Sequence, residues 1–289
     1  MSVTLGVVTV LYNSESVLEG FFRSLAIQKN VAFKLYVIDN SRTPIGANLA
    51  KELAVRYGIA CEVVFNNRNF GVAKGNNDGI KLALRDKCEY ILLANNDTEF
   101  ECNTFASLLE PLICEGEVAS TCQIAFFDEP DRLWFERGAI YPVRALTPHL
   151  GARQRTVGDM RYTSYAPTCF LMLSARVFSV VGLMDEDYFV YYDDSDFVWR
   201  MRKAHMRIRL IGRKMVLHKV SSSTGGESSE FSVYYMHRNR IKFARKHNKM
   251  PVRLLSLVYI YMTRLYRIRS LPKKLRMAAY RGLIDGLRA

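Results

Sequence analysis

Long apolar runs are missing from this chain of 289 residues. The longest candidate, Leu254–Thr263, sits between Arg253 and Arg264 and is shorter than the roughly 18–20 residues that a membrane-spanning helix needs. The opening Met1-Ser-Val-Thr-Leu has no basic segment and runs straight into a strand-like pattern, so no signal peptide is expected. The six cysteines form no C-x-x-C pair and have no histidine at zinc spacing. They read as buried thiols in a reducing compartment, with the cytoplasm as the expected location. No internal repeat is visible. Acidic residues are scarce in one region only. From Phe231 to Ala289 there are 15 Lys/Arg and a single acid, Asp285, whereas residues 1–230 carry 26 basic and 27 acidic groups. The formal net charge of +13 therefore belongs to the tail, and the body is neutral. This distribution argues against a nucleic-acid-binding fold built on a basic core. It favours a neutral domain over 1–230 with a basic appendage over 231–289.

What is present is a composition of 49% hydrophobic and 24% charged residues, ordinary for a globular protein. The first hundred residues alternate between two hydrophobic periods. Val3–Val10, Lys34–Asp39, Ala60–Asn66 and Tyr90–Asn95 read as short buried strands. Val17–Gln28, Gly46–Tyr57 and Val72–Leu84 read as helices between them. That alternation predicts βαβ units, a parallel sheet covered on both faces, and a ligand site beyond the carboxyl ends of its strands. Polar residues cluster at each of those ends. Further on, Val118–Phe127, Arg207–Ile211 and Met215–His218 read as strands, and Ser174–Val181 and Asp194–Ala204 as helices. The stretch around 150–165 reads as a mobile polar excursion that orders over a bound ligand, and Ser221–Ser229 as a flexible Ser/Gly segment.

Several of the strand-end groups carry chemistry. Asp39 can accept from a base N–H or a ribose hydroxyl, or merely close an Asx-turn. The turn from Asn66 to Gly79 spaces Gly71, Gly75 and Gly79 by four, which is neither the G-x-G-x-x-G fingerprint nor a Walker A loop. Its helix start, with Lys74, can hold a diphosphate; equally, its glycines can let helix and sheet pack closely. Asn95-Asn96-Asp97 places a carboxylate and two amides at a strand end, where they suit a hard divalent cation or an ordinary turn. Asp193, Asp194 and Asp196 crowd three carboxylates into four positions. Crowding raises at least one pKa and suits a general base, while a helix N-terminus also favours such acids. His218 ends a strand and is either a nitrogen ligand or a structural histidine.

In order and spacing these motifs resemble the inverting glycosyltransferases of family 2, with a GT-A fold, and in particular the bacterial rhamnosyltransferase-like branch. Val8-Thr-Val-Leu-Tyr-Asn13, Val37-Ile-Asp-Asn-Ser41, Asn69 to Gly79, Asn95-Asn96-Asp97, Tyr191-Tyr-Asp-Asp-Ser-Asp196 and His218 with Ser222 or Ser223 carry the likeness, which covers about residues 3–245. It implies an α/β fold with a mixed, mostly parallel sheet. A sugar-donor half falls at about 1–100, an acceptor and catalytic half at about 101–230, and a helical tail follows. Thr9, Tyr12, Asp39, Asn69, Gly71, Lys74, Asn77 and Asn96 are implied to contact the nucleotide-sugar donor, either dTDP-rhamnose or a UDP-sugar such as UDP-galactofuranose or UDP-galactose. Asp97 and His218 are implied to hold Mn²⁺ or Mg²⁺. Asp194 is implied to be the base, supported by Asp193 and Asp196 on the acceptor side. The expected acceptor is a lipid-linked glycan of surface polysaccharide such as O-antigen, with a homo-oligomer left open. In the tail, Arg253, Arg264 and Arg267 form one helical stripe and Leu254, Leu257, Tyr261 and Leu265 another. That pattern predicts a peripheral helix on an anionic cytoplasmic leaflet. A nucleic-acid-binding protein and a sugar nucleotidyltransferase are the rival classes; nucleic acid is not expected, because no binding motif accompanies the basic tail.

Overall fold

Val7, Val8 and Leu11 are wholly buried in the first strand, β1 (Leu5–Leu11), whose near-continuous apolar run suits a strand covered on both faces. The computed structural model describes residues 4–150, 161–220 and 229–289. After β1 the chain alternates through α1 (Glu15–Ala26), β2 (Phe33–Asp39), α2 (Ile45–Tyr57), β3 (Cys61–Phe65), α3 (Val72–Arg85) and β4 (Tyr90–Ala94). β1 pairs in parallel with β2 and β4, and β2 with β3. The register sets Leu11 beside Asp39 and Asp39 beside Phe65, so the strand ends form one polar edge.

The second half continues the sheet with β5 (Thr98–Phe100), α4 (Thr104–Cys114), β6 (Ala119–Phe126) and β7 (Leu133–Phe135). Two short strands, β8 (Arg137–Gly138) and β9 (His149–Leu150), pair with each other away from it. β10 (Tyr162–Thr163), β11 (Phe170–Ser174), α5 (Arg176–Val181), α6 (Asp193–Lys203) and β12 (Ile208–His218) complete the body. The main path through the sheet is β10-β12-β6-β11-β4-β1-β2-β3, with β11 antiparallel to both neighbours. This is a mixed, mostly parallel α/β sheet.

Among the differences from the sequence reading in this half, two bear on how the sheet is joined. β11 was not anticipated, although it joins β4 to β6 and so couples the two halves of the sheet. The strands expected at 207–211 and 215–218 are one strand, β12, whose register against β6 shifts between Ile211, Lys214 and Val216. An irregularity of this kind interrupts the hydrophobic alternation without ending the strand. Residues 151–160 of the polar excursion and 221–228 of the Ser/Gly segment lie outside the described residues.

The basic segment is helical: α7 (Glu230–His247), α8 (Val252–Ile268) and α9 (Lys273–Arg288). Charge sets it apart from the body; packing does not. Ile241, Phe243 and Ala244 of α7 are completely buried. α9 lies along α7 through Ala279, Gly282 and Gly286. A β-carbon on Gly282 would stand 2.4 Å from the Tyr234 carbonyl oxygen, and one on Gly286 2.6 Å from that of Arg238. The two backbones therefore meet at a distance only glycine allows. Gly282→Val should wedge them apart and cost about 1–3 kcal/mol, as overpacking generally does. Gly212→Val, which meets nothing within 4 Å, is the control. Urea unfolding midpoints should fall for the first and scarcely move for the second.

Candidate active site

The polar edge of the sheet opens into a cavity of about 620 Å³. Its wall brings together Tyr12, Asn69, Gly71, Asn96, Asp97, Asp193, Asp194 and His218 from sites far apart in sequence. Asp97 and His218 meet because β5 pairs antiparallel with β12 in a register that sets His218 opposite Thr98. The Lys219 amide donates to the Asp97 carbonyl at 2.9 Å and fixes the same contact. The His218 Nε2 then lies 3.2 Å from an Asp97 carboxylate oxygen. Two ligands on adjacent corners around a hard divalent ion, each at about 2.1 Å, stand about 3 Å apart, so the pair fits one such ion. The buried Nδ1 of His218 has no hydrogen-bond partner among the described residues. No group of three or more His, Cys, Asp or Glu side chains is gathered for a metal among those residues. Any ion held here would therefore keep coordination positions for ligand oxygens.

Asp194 enters the cavity through a strained turn. Tyr191 and Tyr192 both adopt left-handed conformations, with φ of 61° and 66°, a region costly for bulky residues. The turn is held from outside. The Asn239 amide on α7 donates to the Val190 and Tyr191 carbonyls at 2.8 and 2.9 Å. The Tyr191 hydroxyl meets that of Ser232 at 2.8 Å, and the Tyr192 hydroxyl donates to the Ala145 carbonyl. One Asp194 carboxylate oxygen accepts from the Ser195 amide at 2.6 Å and the Ser195 hydroxyl at 3.1 Å; the other accepts from the Tyr165 hydroxyl. Burial pushes the Asp194 carboxyl up, against the pull of these hydrogen bonds. Asp193, buried beside it, is pushed well above the ordinary range by burial and by the Asp194 charge. Burial and the Asp194 charge also keep the Tyr165 phenol protonated.

Five expected site residues lie outside the cavity wall. Asn77 is engaged structurally: its amide donates to the Met184 carbonyl and to Glu186 at 2.9 Å and its oxygen accepts from the Met184 amide. Lys74 pairs with Asp78 one turn along α3. Thr9 is buried within β1. Asp196, fully buried, is bound by Arg200, Lys246 and His247 at 2.9, 2.6 and 2.7 Å. Burial opposes its charge, but the hydrogen bonds from His247 and Lys246 prevail and hold its carboxyl below the usual range. It ties α6 to α7 instead of supporting an acceptor. Asp39 is also absent from the wall, although its neighbour Asn40 is present. One Asp39 oxygen accepts from the Ser41 amide at 2.9 Å, and the other is buried without a hydrogen-bond partner.

The glycine turn has the packing role. A β-carbon would stand 2.6 Å from Val10 at Gly75 and 2.3 Å from Val8 at Gly79. At the start of α3 the Gly71 amide donates to the Asn69 side chain and the Val72 amide to the Phe189 carbonyl. These donors are not free for a diphosphate.

The sequence reading missed an aromatic group beside the carboxylates. Trp134 meets the His218 and His149 rings edge-on at 4.6 and 4.5 Å, and His149 stacks on Tyr165 at 5.9 Å. Tyr165 ends the stretch read as a polar excursion, and no local pattern signals its convergence with Trp134.

The sheet and its polar edge have the GT-A fold. Residues 6–182 match Glycosyl transferase family 2, and the chain belongs to that family. It is 23% identical over 248 residues to the low-salt glycan biosynthesis hexosyltransferase Agl10 of Haloferax volcanii, covering 82% of this chain and 74% of that one. It is 26% identical over 198 residues to the dTDP-rhamnosyl transferase RfbF of Shigella flexneri, covering 65% of this chain and 64% of the relative. Among solved structures it superposes on the mannosyltransferase PcManGT from Pyrobaculum calidifontis, in complex with GDP-Man and Mn²⁺, with a TM-score of 0.60. That match has 13% identity and covers 98% of this chain and 86% of the other. TarS 1-349 of S. aureus in complex with UDP gives a TM-score of 0.59 at 14% identity, covering 99% and 80%. The chain is thus a glycosyltransferase by family and not a sugar nucleotidyltransferase.

If Asp194 works as an ionised base, Tyr165→Phe should move the acid limb of the pH–rate profile upward. Losing a hydrogen bond to the charged form raises the carboxyl further above its ordinary value. Turnover should drop at neutral pH and recover in more alkaline buffer. Asp194→Asn should lose about 10²–10⁴-fold at every pH. A Tyr165→Phe profile superimposable on wild type would remove Tyr165 from this role.

Proposed function

We propose that the protein is an inverting, metal-assisted glycosyltransferase that moves a sugar from a nucleoside-diphosphate donor to a glycan hydroxyl. The observation that carries this reading is the placement of the Asp194 carboxylate and the Asp97–His218 pair in the wall of one cavity. Asp97 and His218 would hold Mn²⁺ or Mg²⁺, which when bound offsets charge on a leaving diphosphate. Asp194 takes the proton of the acceptor hydroxyl as its oxygen bonds to the anomeric carbon. The carbon–oxygen bond to the diphosphate breaks from the opposite face, and its electron pair leaves with the nucleotide. Tyr165 and Ser195 orient the carboxylate for that transfer. The orphaned oxygen of Asp39 suits a base N–H or ribose hydroxyl if the strand end opens to the ligand.

The likeness to RfbF favours dTDP-rhamnose as the sugar donor, with a UDP-sugar such as UDP-galactofuranose or UDP-galactose as the second choice. The acceptor is proposed to be a lipid-linked glycan of surface polysaccharide, O-antigen among them, met at the cytoplasmic face of a membrane. The exposed face of α8 supports this location. The expected apolar stripe is revised in part: Leu257 and Tyr261 pack inward, while Leu254, Leu255, Val258, Tyr259, Met262, Leu265 and Tyr266 face solvent. On α9, Met277, Tyr280, Ile284 and Leu287 are exposed beside Arg276, Arg281 and Arg288. No helix among the described residues is long and apolar enough to cross a membrane. Apolar faces bordered by cations are what a helix lying in an anionic interface presents.

Two measurements test the proposal. Asp97→Ala should abolish metal-dependent binding of UDP and dTDP in calorimetry, and undiminished sugar transfer in excess chelator would exclude the metal. The protein should float with vesicles containing phosphatidylglycerol, and Leu255→Asp/Met262→Asp should lower the bound fraction severalfold. Equal flotation of that variant would place the membrane contact elsewhere.

A further inference from the structure

Arg23, Arg56, Arg85, Arg200 and Arg213 each sit within about 3 Å of a carboxylate. Four other arginines stand together with none. Arg144, on the loop before β9, and Arg240, Arg264 and Arg267, on α7 and α8, gather around Tyr192 and Tyr259. Among the described residues no carboxylate lies in ion-pair range of any of the four.

Arg240 is the anchor. It is only 3% exposed, and it spends its Nε and one terminal nitrogen on the Arg144 carbonyl, at 3.2 and 2.8 Å. This holds the loop that carries Arg144, whose guanidinium lies about 6 Å from the ring centres of Tyr141 and Tyr259. Arg264, half-buried, makes no side-chain hydrogen bond or ion pair among the described residues. Burial pushes the Arg240 guanidinium down to about 10 and that of Arg264 below its ordinary value, with neighbouring arginines adding repulsion. Arg144 and Arg267 are exposed, so the cost falls on Arg240 and Arg264, a buried and a half-buried cation with no counter-charge among the described residues, and an anion seated among the four would relieve it.

The position says which anion. On one side, the loop runs from Arg144 directly into Leu146, Thr147, Pro148 and His149 of the cavity wall, and Tyr192 precedes the Asp193-Asp194 pair. On the other side lies the solvent-facing apolar face of α8. A ligand spanning the two would carry a glycan at one end, a negative group in the middle and a hydrocarbon chain at the other. We propose that Arg144, Arg240, Arg264 and Arg267 form a binding site for the phosphate or diphosphate that joins glycan to lipid in the acceptor. The inference rests on the lipid-linked acceptor proposed above and assigns the residues that recognise its charged link. Planar guanidinium groups suit phosphate oxygens, and a half-buried site strengthens each bond.

The test uses farnesyl diphosphate as the probe, with farnesol as its uncharged counterpart, on the full chain in chelator so that no metal-held diphosphate interferes. Wild type should bind farnesyl diphosphate clearly more tightly than farnesol. The double variant Arg144→Gln/Arg264→Gln should weaken the charged probe by about tenfold or more, as loss of charge-assisted hydrogen bonds does, and leave farnesol unchanged. Equal binding of the probe by both proteins overturns the site. An equal loss of Mn²⁺-supported UDP and dTDP binding also overturns it, because the arginines would then act through the fold. Vesicles of phosphatidylglycerol without the probe separate the two sources of phosphate. If the variant loses vesicle binding as steeply as probe binding, bulk headgroups are the ligand and the proposal fails. A wild-type protein that binds neither nucleotide with Mn²⁺ counts against the proposed function alone, and the probe comparison still decides the arginine site.

Discussion

The structure depends on the grip of α7 on the turn Val190–Tyr192. Two tyrosines in succession are forced into left-handed backbone, and only outside support makes that conformation persist. Asn239 supplies two hydrogen bonds from a completely buried side chain, and Ser232 receives a third contact from the Tyr191 hydroxyl. One turn further on, Asp196 binds Lys246 and His247 of the same helix. The helix bearing Asp194 is therefore clamped at both its entrance and its first turn. A segment that charge sets apart from the body proves to orient the Asp194 carboxylate.

The Asp97–His218 pair is governed by a different constraint, the register of β12. His218 and Asp97 are 121 positions apart in the chain, yet the antiparallel pairing with β5 leaves them little freedom. β12 also pairs with β6, and β6 reaches the first half of the sheet through β11. The cavity thus has one wall from the strands of the first half and another from the second, joined by continuous hydrogen bonding. Trp134 bridges them by packing against both His218 and His149.

Much of the first half was legible because short apolar strands and amphipathic helices repeat with clear turn residues between them, and strand-end polar groups then point to one edge. Asp97, Asp194 and His218 carried enough motif context to be placed together. β11 was not legible, since the short apolar run Phe170–Leu173 has no alternation and its role comes from partners far away in sequence. Asn77, Lys74 and Asp196 sit inside motifs, but motif membership does not say which way a side chain points. Each found a partner of the fold before any ligand: Met184, Asp78 and the α7 cations. The outward face of α8 was misjudged for a related reason. Nearly every side of that helix is apolar, and periodicity cannot choose the buried side when Ser256 and Ile260 turn inward while Leu255 and Met262 turn out.

The glycine seam between α7 and α9 has a consequence for the order of events during synthesis. Domains tend to fold as the chain emerges, from the N-terminus onward. Here the sheet is complete by residue 218, yet α7 gains its cover only when residues 273–288 have been made. The Asp194 carboxylate is thus set last, on a scaffold already folded, and a nascent chain would hold its cavity before that carboxylate is fixed in the wall.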